Sequence, residues 1–202
     1  MRTVSRPVLY VMIGLPASGK STFLKTLKHI DVYSADAVRG EWFGDEGLQF
    51  CDAFFKERGI DVTGRSDTEK TRIANSIVWE EVYRRAEQSL SAGRDTAIDG
   101  INISRRVRKL IIRRFRKQAV IHGIWMTAGS ELCVLRDAQR ARNVGAEIIR
   151  EMAAHFEMPE VTEGFDILEL RDENGNLCRR MYGTGFRKND AVTGGETGNS
   201  RP

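Results

Sequence analysis

Cysteine is scarce and scattered: the 202 residues hold three, Cys51, Cys133 and Cys178, with no C-x-x-C pair among them. An odd number of distant thiols suggests neither a disulfide framework nor a zinc site, so they read as reduced core or surface thiols. Long apolar runs are missing too. No stretch approaches the length that spans a bilayer, and residues 1–6 lead into a core strand without the apolar region of a secretory signal. A cytoplasmic protein with no membrane partner is expected. There is no internal repeat. Nor is there a strong charge imbalance: the net charge is +4, with 30% charged and 41% hydrophobic residues, the makeup of an ordinary globular chain with one sizeable core. So small an excess names no partner by its total, and its distribution carries more information. The one long gap is in acids, of which residues 100–130 contain none.

What is present is organised around Gly14-Leu15-Pro16-Ala17-Ser18-Gly19-Lys20-Ser21-Thr22, directly after the apolar run Val8-Leu9-Tyr10-Val11-Met12-Ile13. This is a buried strand running into a G-x-x-x-x-G-K-S phosphate loop. Gly14 and Gly19 allow backbone angles closed to other residues, so that successive N–H groups, through Ala17 and Ser18, converge on one anion. Lys20 adds a full positive charge at the β- and γ-phosphates, and the Ser21 hydroxyl is placed to ligand the Mg²⁺ that accompanies a nucleotide. A helix expected over residues 20–28, opening with Lys20, Ser21 and Thr22, aims its positive end at the same point.

Further along, a short strand over 32–34 is followed by Asp36, a carboxylate at the mouth of an open α/β sheet where ligands collect; the other reading of Asp36 is the N-cap of a helix over 36–43. Helical patterns cover 47–58 and 67–91, the second capped by Ser66 or Asp67 and stopped by Gly93. A strand over 95–102 carries Asp99 near its end, where an acidic residue holds a metal or its water shell in phosphate-loop proteins. Residues 119–125 form another buried strand, in which His122 reads as a core or strand-face residue. A helix from about 130 carries Arg136 and Arg140 four apart on one face, suited to a phosphoryl group in transfer or else simply solvated. A helix over 146–156, a strand over 167–170 and an Asn174-Gly175 turn into 177–182 suggest a closing hairpin. One domain over 1–183 and a disordered tail over 184–202 are expected, the tail being too polar and glycine-rich to pack.

The segment 104–117 stands out by charge. Ile103, Val107, Leu110, Ile111 and Phe115 form an apolar stripe, and eight cations fill the remainder: Arg105, Arg106, Arg108, Lys109, Arg113, Arg114, Arg116 and Lys117. Such a run is either a solvated face or, given the missing glutamates, a face for a polyanion.

Together these residues resemble a phosphate-loop kinase of the polynucleotide 5'-hydroxyl kinase group, phage type, kinase domain only. The resemblance runs from about Val8 to Leu170. It rests on the phosphate loop, on Ser34-Ala35-Asp36-Ala37-Val38-Arg39 as a D-x-x-R pair, on Asp99-Gly100-Ile101-Asn102, on Arg136 and Arg140, and on Phe156-Glu157-Met158-Pro159 followed by Glu163-Gly164-Phe165-Asp166. It implies an α/β P-loop NTPase kinase fold, a parallel sheet sandwiched between helices with a helical lid, and use of ATP with Mg²⁺. It further implies Asp36 as general base on the acceptor hydroxyl, Arg39 on the acceptor's phosphate, Asp99 in support of the acceptor site, and lid arginines on the donor and the transferring group. Where the family often has Arg-Asn at the start of the lid, this chain has Arg136-Asp137, with Arg142-Asn143 later, so the lid pair is drawn from Arg136, Arg140 and Arg142. The D-x-D-x-T string of the family's phosphatase is absent, so no 3'-end repair activity is expected.

The leading expectation is transfer of the γ-phosphoryl group of ATP to a 5'-hydroxyl of DNA or RNA. Phosphorylation of a small molecule (a sugar, or a nucleotide-sugar as in zeta-type toxins) uses the same constellation. A nucleotide-dependent switch is a third reading, which the candidate base Asp36 counts against.

Overall fold

The apolar run before the glycine loop is strand β1 (Val8–Ile13), with every residue from Leu9 onward buried. It lies in the middle of a six-stranded sheet because both of its faces are apolar and both are covered. The computed structural model describes residues 6–44 and 52–186. In chain order the other strands are β2 (Asp31–Ser34), β3 (Thr96–Asp99), β4 (Val120–Met126), β5 (Ile167–Arg171) and β6 (Leu177–Tyr182), arranged β2-β3-β1-β4-β5-β6. All pairings are parallel except β5 with β6, the expected hairpin. From β1 the chain goes to one side to form β2, and from β3 it crosses over β1 to form β4. The carboxyl end of β1 is therefore a topological switch point, where a crevice opens.

Alternate residues of the strands feed two cores. On one face Leu9, Val11, Ile13, Ile98, Ile121 and Leu168 pack against α4 (Asp67–Ser91) through Val78, Val82 and Ala86, and against α5 (Arg105–Phe115) through Ile111, Ile112 and Phe115. On the other, Tyr10, Met12, Ala97, Ile124 and Met126 meet Phe23 and Leu24 of α1 (Lys20–Leu24). Burying one such side chain contributes about 1.5–3 kcal/mol. A third cluster joins Leu15 of the loop to Cys133 of α6 (Ser130–Asp137) and Ile149 of α7 (Ala146–Ala154), so the lid helices rest on the phosphate loop. A fourth joins Phe54 and Phe55 of α3 (Asp52–Glu57) to Ala74 of α4 and to Trp42 and Phe43 of α2 (Ala35–Phe43).

Several expectations need correction. Helix α1 stops at Leu24 instead of reaching 28, because Thr26 and Leu27 donate to carbonyls only three residues back and His29 takes a φ of 60°. Asp36 is not the cap of α2: Ser34 is, its hydroxyl accepting from the Ala37 N–H at 3.0 Å, while Asp36 sits in the first turn. The lid helix ends at Asp137, so Arg140 lies beyond it and does not share a helical face with Arg136. The apolar stripe of α5 is also displaced. Val107 and Leu110 are exposed, and the buried face is Arg108, Ile111, Ile112 and Phe115. Helix α4 does have the expected bounds, with a reciprocal Ser66–Glu69 capping box. Residues 47–51 of the expected helix, Cys51 among them, and residues 187–202 of the expected tail lie outside the described residues.

Candidate active site

Gly14 opens the loop with φ +147°, and a Cβ there would fall 2.8 Å from Ser18 Oγ and 2.9 Å from the Met126 carbonyl. No side chain fits. Its N–H donates to the Ile101 carbonyl at 3.0 Å, tying the loop to the chain leaving β3. Gly19 has φ +99° and Ala17 φ +59°, so the turn is wound through the left-handed region. Ser18 is fully buried inside it. Lys20 is 7% exposed and folds back, Nζ donating to the carbonyls of Gly14 (2.9 Å) and Leu15 (2.6 Å) and to Ser18 Oγ (3.3 Å). Burial pushes its amine down to about 8, against the opposing pull of Asp99. A buried cation held only by neutral oxygens is set to gain from an anion entering the loop.

Beside Lys20, the Ser21 hydroxyl donates to Asp99 Oδ2 at 2.7 Å. A serine oxygen and a carboxylate in contact, both accessible from the loop mouth, form a hard-oxygen pair that fits Mg²⁺, which takes few protein ligands and completes its shell from phosphate and water. Among the described residues no larger metal-ligand cluster exists.

Asp36 and Arg39 stand in α2, directly after β2, and β3 lies between β2 and the strand that leads into the loop. Arg39 Nη1 donates to Asp36 Oδ1 at 2.8 Å, and Nη2 donates to Asn75 Oδ1 of α4 at 2.8 Å. The Asp36 carboxylate is 87% exposed at its side chain, open to a ligand. The close packing of Trp79 over Gly100, where a Cβ would come within 2.9 Å of the ring, brings α4 against the strand end that carries Asp99.

On the other side of the loop lies a cavity of about 390 Å³, lined by Thr22, Phe23 and Thr26 of the α1 region, by Arg136 and Arg140, and by Arg171, Glu173 and Gly175 of the β5–β6 hairpin. This is room for a nucleoside. Arg136 Nη2 donates to the Glu173 carbonyl at 3.1 Å, and its Nη1 comes within 4.0 Å of where a Cβ of Gly19 would be. Of the three candidate lid arginines, Arg136 and Arg140 line the cavity and Arg142 does not. Asp137, 2% exposed, shapes the segment after them: its Oδ2 accepts the N–H groups of Val144 (2.8 Å) and Gly145 (2.9 Å).

Arg171 was not foreseen. Its guanidinium lies 4.4 Å from the Phe23 ring centroid, Nη1 donates to the Gly175 carbonyl at 2.8 Å, and Nε donates to buried Glu169 at 2.8 Å. Burial would raise the Glu169 carboxyl, but His122 and Arg171 outweigh it and hold it at about 2. His122 itself packs on Tyr10 with ring centroids 5.2 Å apart, a strand-face residue outside the site. Glu169 is buried with Ile167 and Leu168 in β5, and nothing in the local sequence couples it to the nucleotide side.

Three cations of the basic segment are committed to ion pairs within the fold. Arg108, fully buried, grips Glu163; Arg114 pairs with Glu80 and Glu87; Arg105 pairs with Glu160. The acids absent from 100–130 come from other elements. Of the eight cations, Arg106, Lys109, Arg113, Arg116 and Lys117 have no ion-pair partner among the described residues.

The family described as an AAA domain matches residues 9–159, well over half of the chain. The chain belongs to this family. Within the AAA-domain segment lie the phosphate loop, Asp36, Arg39, Asp99 and both arginines of the cavity. The chain is 23% identical over 168 residues to Transcription factor bHLH140 of Arabidopsis thaliana, covering 80% of this chain and 15% of that protein. It thus spans under a sixth of the curated relative. Among solved structures, the Pnkp1/Rnl/Hen1 RNA repair complex contains a chain that matches with a TM-score of 0.57 and 21% identity, over 76% of this chain and 45% of that one. A sugar kinase from Janibacter sp. HTCC2649 matches with a TM-score of 0.52 and 18% identity, over 83% and 86%. The fold is that of the P-loop kinases. No described helix is long and apolar enough to cross a membrane.

Proposed function

We propose that this AAA-domain protein is an ATP-dependent kinase that transfers the γ-phosphoryl group to the 5'-hydroxyl of a polynucleotide. The observation that carries it is the exposed Asp36 carboxylate, paired with Arg39 just after β2, two strands from the one that runs into a complete phosphate loop. A loop alone supports nucleotide binding. An open carboxylate at the same end of the parallel sheet supports an acceptor hydroxyl.

The donor's base and ribose would occupy the cavity under Arg136, Arg140 and Arg171, with its phosphates on the loop N–H groups and Lys20. Ser21 and Asp99 would hold Mg²⁺, which supplies charge neutralisation between the phosphates. Asp36 accepts the proton of the acceptor hydroxyl as that oxygen bonds to phosphorus, the bridging oxygen–phosphorus bond breaks, and ADP leaves. Arg136 and Arg140 face the charge spread over the phosphoryl oxygens. Little covalent chemistry is asked of the chain; positioning and electrostatics carry the rate.

The three unpaired cations of α5 (Arg106, Lys109 and Arg113), with Arg116 and Lys117 just beyond it, and the likeness of fold to a chain of an RNA repair complex, support a polynucleotide acceptor. The second reading, a small-molecule kinase, draws on the three arginines of α5 that are consumed in internal ion pairs and on the likeness of fold to a sugar kinase. Incubation with γ-labelled ATP and Mg²⁺, offering 5'-hydroxyl oligonucleotides beside a metabolite panel, tests both. Label on the oligonucleotide supports the proposal; label only on a metabolite replaces it; free phosphate alone revives the switch.

A further inference from the structure

Arg39 is held from two sides. Nη1 donates to Asp36 on its own helix and Nη2 to Asn75 on α4, both at 2.8 Å, while the solvent-shielded Nε has no partner among the described residues. The two anchors differ in kind. Asp36 is exposed and, in the kinase reading above, must turn to the acceptor hydroxyl and take its proton. Asn75 is half-buried on the 25-residue helix α4, next to fully buried Ala74 and one turn from fully buried Val78. Once Asp36 engages a hydroxyl, Asn75 is the anchor that remains.

We propose that Asn75 is a positioning residue of the acceptor site: it fixes Arg39 so that the guanidinium's uncommitted donors meet an anionic group borne by the acceptor beside its reacting hydroxyl. This rests on the kinase reading. The amide chemistry fits the task. Its neutral oxygen orients Arg39 without cancelling the charge, whereas a carboxylate at the same place would compete with the acceptor anion. Hydrogen bonds to a charged group are strong enough for the loss of one to move a half-buried arginine. The D-x-x-R pair shows in the sequence, but its partner 36 residues away does not.

The test compares wild type with Asn75→Leu and Asn75→Ser, using γ-labelled ATP and two acceptors, a nucleoside 3'-monophosphate and the plain nucleoside. Both variants should raise KM for the phosphorylated acceptor by about tenfold, leaving KM for ATP and for the nucleoside near wild type. Combining Asn75→Leu with Arg39→Gln should be no worse than Arg39→Gln alone. Equal losses on both acceptors, or additive losses in the double variant, would overturn the proposal. An acceptor-independent readout separates this inference from the reading beneath it. The Arg39 Nε–H resonance, assigned by its disappearance in Arg39→Lys, should exchange slowly with solvent in wild type and fast in both Asn75 variants. If wild type labels no acceptor, the kinase reading fails, and an unchanged Arg39 resonance in the variants sinks the role of Asn75 separately.

Discussion

Arg108 and Glu163 close on each other through two hydrogen bonds of 2.8 and 2.7 Å, with both side chains shut from solvent. The remaining donors of Arg108 go to the carbonyls of Asn102 (3.1 Å), Ile103 (2.9 Å) and Met158 (3.4 Å). Asn102 in turn donates through Nδ2 to the Met12 carbonyl at 2.8 Å, two residues before the phosphate loop begins. One buried ion pair thus joins the exit of β3, helix α5 and the segment after the lid.

Removing that cation breaks the buried pair and leaves Glu163 with only the longer ion-pair contact to Arg105, at 3.6 Å. Arg108→Gln should destabilise the fold by about 3–5 kcal/mol, whereas Arg106→Gln on the exposed face should stay within about 0.5 kcal/mol of wild type. Denaturant midpoints compare the two; equal shifts would deny Arg108 its structural role.

The strand-loop-helix core was legible because each of its parts is local: an apolar run, two glycines, a lysine and a serine in fixed spacing. The long helix α4 was legible for the same reason, with its cap and stop written beside it. What escaped depends on partners distant in sequence. Arg108 reads as one more surface cation until Glu163, 55 residues on, is seen beneath it. Asn75 and Arg171 enter the site only because α4 and the β5–β6 hairpin are folded against it. Asp36 was misread as a possible cap since a single sequence does not say whether Ser34 or Asp36 ends the strand.

Lys20 ties nucleotide binding to pH. Burial lowers its amine from the usual 10.5 to about 8, so between those values the unfolded chain binds more protons and the fold gains stability as pH rises. Phosphate binding needs the charged form. ATP affinity should therefore weaken as pH climbs through about 8, with no parallel fall in Tm from this group, and a Kd titration against pH measures it. Lys20→Ala should abolish transfer and flatten the profile. A wild-type Kd unchanged from about pH 7 to about pH 10 would contradict the assignment.

Asp36→Asn preserves shape and removes basicity. Because Ser34 caps α2, Tm should hardly move, while kcat should fall by about 10²–10⁴-fold with ATP binding intact. Loss of stability at normal kcat would return Asp36 to a structural role.

The cavity distinguishes the three arginines at and after the end of α6. Arg136→Ala and Arg140→Ala should each lower kcat/KM for ATP by about 10²-fold, the scale of a lost transition-state contact. Arg142→Ala should leave it near wild type. Steady-state kinetics with ATP varied decide it; an Arg142 variant as damaged as the other two would mean that the lid carries a different pair during turnover.

The acceptor class turns on the free face of α5, and the choice of residues matters. Arg105, Arg108 and Arg114 are engaged within the fold, so changing them tests stability as much as binding. Arg106, Lys109 and Arg113 are unpaired among the described residues and lie on one side of the helix, away from its buried face. A polynucleotide reaches beyond the pocket, and each single-strand phosphate neutralised contributes about 0.7 to the slope of log K against log salt. Changing these three together to Gln should therefore reduce that slope by about 2 for a long 5'-hydroxyl oligonucleotide and leave a nucleoside 3'-monophosphate unaffected. Lys20-dependent ATP turnover should persist, since none of the three lines the nucleotide cavity. Equal phosphorylation of short and long acceptors at every salt concentration, in wild type and triple variant alike, would make the face a solvated one and transfer the case to the small-molecule kinase.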